Sequence, residues 1–233
     1  MEKLALETMN TLIVSIVFYM VSAHLTRSLS KDVGRSRILE KARQHFFAFG
    51  YSKMTMDELA AELGMSKKTL YRHFPGKDAI VVALIHEMQK SIRADADAIM
   101  RNHTLTFAEK LRGFAESMIE RLGHVQPGVL KDLQRFAPHC HRLIEEVRRD
   151  NILHVFGKIF EQGQLCGAVR SDLSSVFLSQ LVYEVVNSMM QPATMEYLKL
   201  RPVDVFQNTF KTIFGGMLTA KGRKDYEKLF DQS

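Results

Sequence analysis

The chain is poor in the residues that staple small folds: its 233 residues include two cysteines and five prolines. Two thiols, Cys140 and Cys166, supply no disulfide framework and suit a reducing compartment. No segment alternates apolar and polar residues as a half-buried strand does, and no internal repeat is present. A glycine-rich phosphate loop, a G-x-S-x-G elbow and an H-E-x-x-H pair are all missing, and the nine histidines lack a ligand spacing. Catalysis is therefore not expected, and no catalytic residue, metal ligand or cofactor site is assigned. The most apolar stretch, LIVSIVFYMV from Leu12 to Val21, is about half the ~20 residues a membrane-spanning helix needs.

What the chain does have is an ordinary globular mixture, 46% hydrophobic and 25% charged, with a net charge of +6 and a pI near 9.3. An excess of cations favours an anionic partner without specifying a fold. Between residues 35 and 80, Lys and Arg stand at 35, 37, 41, 43, 53, 67, 68, 72 and 77, against acids at 40, 57, 58, 62 and 78. Arg142, Arg148 and Arg149 also lie close together and read as a solvated helix face beside Glu145 and Glu146.

Within the basic segment, Thr55 to Lys77 reads TMDELAAELGMSKKTLYRHFPGK. Met56, Leu59, Ala60 and Leu63 follow i, i+3, i+4, i+7, the stripe of a helix with one buried face. Thr55 stands where an N-cap belongs, and Asp57 and Glu58 complement the positive end of the helix dipole. Gly64 suits the left-handed conformation that closes a helix, with Met65 folding back beneath the turn. Ser66 caps a second helix that points Leu70 and Phe74 inward and Lys68 and Arg72 outward. Pro75-Gly76 ends it. Lys67, Lys68, Thr69, Tyr71, Arg72 and His73 offer cations and hydroxyls to phosphates and an arginine able to grip guanine. The plain alternative is a helical hairpin with a solvated basic face.

These residues resemble a known family. From Arg35 to Ile85 the pattern "G-Y, T-M, A-x-x-x-G-M-S-K, T-L-Y, F-P-x-K" is similar to the N-terminal domain of TetR/AcrR-type transcriptional regulators, over about a fifth of the chain. The resemblance implies a three-helix DNA-binding head, a helical ligand-binding and dimerisation body, and repression relieved by a small molecule. It makes Thr55, Ser66, Lys67, Thr69, Tyr71, His73 and Lys77 expected phosphate or base contacts. Lys68 stands where many relatives have glycine and Arg72 where many have tyrosine, so no relative's operator can be borrowed.

The expected fold is all-α: an extension over 1–33, a helix-turn-helix domain over 34–78 and an effector-binding and dimerisation domain over 79–233. The first head helix should span Arg35 to Phe49, with Ile38, Ala42, Phe46 and Phe49 buried and Gly50 at its C-cap. Ile80, Val81, Leu84, Ile85, Met88 and Ile92 mark a long helix from head to body. Further helices are expected near 106–123, 128–137, 140–165, 173–190 and 202–219, separated at Pro127-Gly128, Pro138, Gly163, Gly167, Pro192 and Pro202, with a short tail helix over 225–230.

The helices near 173–190 and 202–219 carry more apolar surface than one face needs, and Gly215-Gly216 permit close approach. By the resemblance these two helices build a four-helix dimer interface, using Leu178, Leu181, Val185, Phe206, Phe210, Ile213, Phe214 and Met217. Phe114, Met118, Phe136, Phe156, Phe160 and Tyr183 are candidates to line a pocket for a small, largely apolar effector. His139-Cys140-His141 cannot converge on one ion from a helix, because adjacent side chains point about 100° apart. The expected partners are an inverted-repeat DNA duplex, the effector and a second copy of the chain, in the cytoplasm and without membrane contact. An activator of the same fold, or an interaction protein with a vestigial head, stays open. For the extension, a start codon placed upstream of Met20, a helix packed on the rest and a peripheral tether all remain.

Overall fold

The computed structural model describes residues 33–126 and 128–230. The extension over 1–32 and Pro127 lie outside the described residues. Among the described residues there are eleven helices and no strand, apart from one isolated bridge between Val169 and Leu218. The helices are α1 (Val33–Phe49), α2 (Met56–Glu62), α3 (Lys67–His73), α4 (Lys77–Arg101), α5 (Phe107–Gly123), α6 (Val129–Phe136), α7 (Pro138–Leu165), α8 (Ser175–Met189), α9 (Pro192–Leu198), α10 (Pro202–Met217) and α11 (Ala220–Phe230). None is long and apolar enough to cross a membrane.

Most boundaries follow from local chemistry. Thr106 and Glu109 form a reciprocal capping box that starts α5. Ser174 caps α8 by accepting from the Phe177 N–H at 3.1 Å. Pro138 opens α7 at a position where a missing N–H loses nothing. Pro192 likewise opens α9, a helix the sequence reading passed over by treating that proline only as a separator. Lys199 closes α9 in the left-handed region at φ 54, doing without glycine. The tail helix begins five residues earlier than expected, because the Thr219 hydroxyl accepts from the Gly222 N–H at 3.1 Å and starts the turn.

The apolar interior is divided. One core joins α1, α2, α3 and the start of α4 with Val129 and Leu133 of α6, Ala137 at the joint, and Cys140 and Val147 of α7. The other gathers Ala96, Met100, Leu111, Phe114, Ile152, Phe156, Phe160, Leu178, Phe210 and Phe214, among others, from α4, α5, α7, α8 and α10. A small third cluster, Leu130, Met190, Met195 and Val205, lies between α6 and α8–α10. Residues 86–95 of α4 enter none of them. That stretch is held by polar pairs instead: Arg93 Nε donates to Asn151 Oδ1 at 2.8 Å, and Arg121 reaches Asp95 and Ser91. Just beyond, Lys158 meets Asp97 at 2.7 Å.

Three expectations need correction. Phe49 is 59% exposed, because α1's covered face ends at Phe46 and the Phe49 ring leans edge-on against His45 instead. Gly215 and Gly216 are a different case: nothing of this protomer lies within 4 Å of an added Cβ at either, which leaves the close approach expected there to a partner outside the protomer. Gly163 does not separate helices but lies inside α7, where Phe107 and Val169 press on it. Arg148 also departs from the solvated face read for it: burial lowers its guanidinium pKa, only partly offset by Glu145 and Tyr183.

A Cβ at Gly163 would stand 2.7 Å from Phe107 Cζ. Gly163→Ala is therefore expected to destabilise the fold by about 1–3 kcal/mol through overpacking, read as a lowered midpoint in thermal melting. The thiols should differ as well. Cys166 is exposed, whereas Cys140 is fully buried with its pKa pushed up to about 11 by burial. A higher pKa keeps the thiol protonated and unreactive. At pH 8 one thiol per folded chain should react promptly with a disulfide reagent and two after denaturation.

Candidate nucleic-acid interface

The first 45 or so described residues are built to display one short helix. Thr55 caps α2 by accepting from the Glu58 N–H at 3.2 Å. The helix closes with Leu63 as C-cap, Gly64 at φ +62, and the Met65 N–H on the Ala60 carbonyl at 3.0 Å. This Schellman-type turn satisfies two orphan carbonyls and swings the chain round. Ser66 then caps α3, accepting from the Thr69 N–H at 3.1 Å. Leu70, fully buried, and Phe74 at the C-cap, 2% exposed, seat α3 against α1, α2 and the start of α4. Burial of that kind contributes about 1.5–3 kcal/mol per side chain. Arg35 lies over the Phe74 ring, 4.4 Å from its centroid.

With Leu70 and Phe74 inward, the rest of α3 faces out. Lys67, Lys68, Tyr71 and Arg72 are exposed, and Thr69 and His73 are half-buried at the flanks. The candidates thus form one basic, hydrogen-bonding surface, but they are not equivalent. Lys67 is drawn to Asp57 at 2.7 Å, and the Thr55 hydroxyl donates to Glu58 at 2.8 Å. Lys77 is half-buried, donates to the Tyr51 carbonyl at 3.2 Å and lies 4.0 Å from that ring's centroid. Thr55, Ser66 and Lys77 are therefore committed to holding the motif together, while Lys68, Tyr71 and Arg72 stand forward. Lys53, exposed on the turn before α2, adds a cation that the pattern of α3 alone did not single out.

The body candidates divide in the same way. Phe114, Met118, Phe156, Phe160 and Tyr183 come together in the second core, where Phe114 meets Phe156 edge-on at 5.6 Å and Phe160 stacks on Phe214 at 5.7 Å. Phe136 does not join them: it is 52% exposed on α6, with Arg135 5.1 Å from its ring centroid. The void among Phe156, Val182, Val186, Phe206, Thr209, Phe210, Ile213 and Phe214 measures ≈ 10 Å³, room for one water at most. A solvent-open groove of ≈ 450 Å³ runs between the start of α5 and α11, beside Phe107, Glu109, Cys166, Lys221 and Asp225.

Of the residues expected at a dimer interface, Leu178, Phe206, Phe210, Phe214 and Met217 are buried in the protomer's own core. Leu181 is 40% exposed and Val185 half-buried, whereas Ile213, also half-buried, packs against the second core. Val176 and Phe177, 75% and 53% exposed, extend the apolar strip of Leu181 and Val185 along α8. A helix apolar on two faces does not reveal which face its own protomer claims. The side chains of His139-Cys140-His141 diverge: His139 reaches Asp78 at 3.1 Å, Cys140 enters the first core, and His141 turns to Glu145 at 3.7 Å.

Comparison with known proteins places this arrangement. The family model for bacterial regulatory proteins of the tetR family matches residues 38–84. The chain is 30% identical over 100 residues to YvaF, an uncharacterized HTH-type transcriptional regulator of Bacillus subtilis, covering 43% of this chain and 52% of that one. It is 40% identical over 57 residues to the nucleoid occlusion factor SlmA of Haemophilus influenzae, covering 24% of this chain and 26% of SlmA. The matches thus span about half and a quarter of those relatives' lengths. A TetR-family transcriptional regulator from Marinobacter aquaeolei superposes with a TM-score of 0.63 at 21% identity, over 85% of this chain and 98% of that structure. The DNA-binding domain of the tetR family of bacterial regulatory proteins is thus matched by residues 38–84, and the chain shares the fold of a solved TetR-family regulator beyond it.

Proposed function

We propose that the protein is a homodimeric transcriptional repressor that reads an inverted-repeat operator through α3 and is released by a small, largely apolar effector. The observation that carries the reading is the division of α3: Leu70 and Phe74 fixed in the core, with Lys68, Tyr71 and Arg72 exposed together on the opposite face. Phosphate contacts from Lys67 and Lys68 would set the register, and Arg72 would read base edges in the major groove.

A single seven-residue helix reaches few base pairs, so a dimer supplies two, spaced about 34–36 Å for successive major grooves. The outward strip of Val176, Phe177, Leu181 and Val185 on α8 supports self-association. The aromatic core of α5, α7, α8 and α10 has the chemistry for an apolar effector, but its void of ≈ 10 Å³ is too small to hold one. An effector would therefore stabilise a less populated, opened body, which lowers its apparent affinity by the fraction of molecules already open.

Binding-site selection from a random duplex library at physiological salt tests the reading. The wild-type protein should recover an inverted repeat. Tyr71→Ala and Arg72→Ala should each weaken binding to it by about 1–3 kcal/mol, the range of one good base contact, with melting and dimer mass unchanged. Recovery of no sequence preference by the wild-type chain would overturn the proposal. Lys68→Ala removes one phosphate contact, and should reduce the slope of log affinity against log salt by about 0.9, as measured by fluorescence anisotropy.

A further inference from the structure

The head is not joined to the body by α4 alone. Helix α6, eight residues long, is shared between them residue by residue. Val129 and Leu133 are buried in the core that seats α3, while Leu130 is buried with Met190, Met195 and Val205 of the body. Lys131 reaches Glu196 of α9 at 2.8 Å. Asp132 turns the other way: its Oδ2 accepts from the backbone N–H of Ser52 at 2.8 Å, across 80 residues of sequence.

The turn that Asp132 grips is the one between α1 and α2. Gly50 adopts φ +84 there, and a Cβ added to it would stand 2.8 Å from Asp132 Oδ2, so the carboxylate is seated directly against the glycine. The next residue, Tyr51, is buried and donates its hydroxyl to Asp78 at the start of α4. Burial and that carboxylate raise the phenol's pKa. Asp78 also faces His139 of α7 at 3.1 Å. Two carboxylates, one on α6 and one on α4, thus hold three consecutive residues of the turn just ahead of the helix-turn-helix.

We infer that Asp132 is a positioning residue for DNA reading: from α6 it fixes the angle at which the head is presented by the body, and so the spacing of the two α3 helices in a dimer. The inference rests on the proposed reading of an inverted repeat. Asp132 makes no contact with the exposed face of α3, so its effect is geometric. A head-to-body angle matters only when both heads must fit two half-sites at once. One head on one half-site is indifferent to it.

The test compares wild type, Asp132→Ala and Asp132→Asn on two duplexes: the inverted repeat recovered by selection with the wild-type protein, and a duplex carrying one half-site with the other scrambled. Alanine leaves the Ser52 N–H without its acceptor, whereas the Asn carboxamide oxygen still accepts. Loss of a hydrogen bond to a charged acceptor can shift the orientational equilibrium by about 10- to 100-fold at most. Asp132→Ala should lose about that much affinity for the inverted repeat and less than twofold for the half-site, with dimer mass and helical circular dichroism retained, and Asp132→Asn should recover most of the loss. Equal loss on both duplexes would mean a damaged head, and no loss on either would mean that the contact is idle; each overturns the inference. Failure of the wild-type chain to prefer the inverted repeat over the half-site would instead overturn the proposed function, before Asp132 enters the comparison.

Discussion

The structure depends on one constraint: a seven-residue helix with most of its surface exposed cannot hold itself in shape. Isolated helices of that length are marginal in water because nucleation consumes what few hydrogen bonds return. Helix α3 must be exposed to read anything, so its form is imposed from beneath by Leu70 and Phe74 and from its start by Ser66. Everything that makes a seat for those two side chains is therefore part of what presents α3. That includes α1, α2 and the start of α4, and also Val129, Leu133, Ala137, Cys140 and Val147 from elements far along the chain.

The remaining architecture follows from how that seat is joined to the rest. Close-packed apolar cores resist continuous deformation, and exposed ion pairs are worth little and rearrange readily. The middle of α4 belongs to neither core, and Arg93, Ser91 and Asp95 there meet Asn151 and Arg121 through polar side chains. On α7 the change from first to second core falls between Val147 and Ile152. Both long helices are thus polar-packed at corresponding heights. Relative movement of the two cores disturbs the fewest apolar contacts when it bends there, which leaves α6, with Ile144 of α7, as an apolar bridge from the head to the body.

Much of the head was legible in the sequence because its signals are local. Thr55, Gly64, Ser66 and Pro75-Gly76 each act within four residues, and a cap or a left-handed turn is specified by the residue that makes it. The inward direction of Leu70 and Phe74 followed from spacing alone. In the body, spacing gives faces but not their partners. It marked Phe210 and Phe214 as apolar without revealing that the protomer's own core claims them, and it placed Phe136 with aromatics that α6 carries it away from. Helix α9 escaped because Pro192, which opens it, reads equally well as a break, and its terminator is Lys199 in a conformation usually given to glycine. Asp132 escaped for a different reason: its partner is a backbone N–H 80 residues away, and no residue type in either segment announces it.

The placement of α6 also bears on how a ligand in the body would reach the DNA. A ligand shifts an equilibrium only by binding one state better than another, and here the void in the aromatic core is too small to hold one. Admitting a ligand between α7, α8 and α10 means displacing side chains such as Val186 and Phe206 that wall the void. Val186 also packs against the cluster of Met190, Met195 and Val205, and Val205 adjoins Phe206 in the chain. Leu130 of α6 is buried in that same cluster, two residues from Asp132. A body opened at its void would therefore disturb the footing of the helix that grips the head's first turn, while the contacts of Leu70 and Phe74 with α1, α2 and α4 lie outside the disturbed cluster. The reading surface would stay intact while its presentation changed, which would lower affinity for two spaced half-sites and leave the affinity of a single head for DNA as it was.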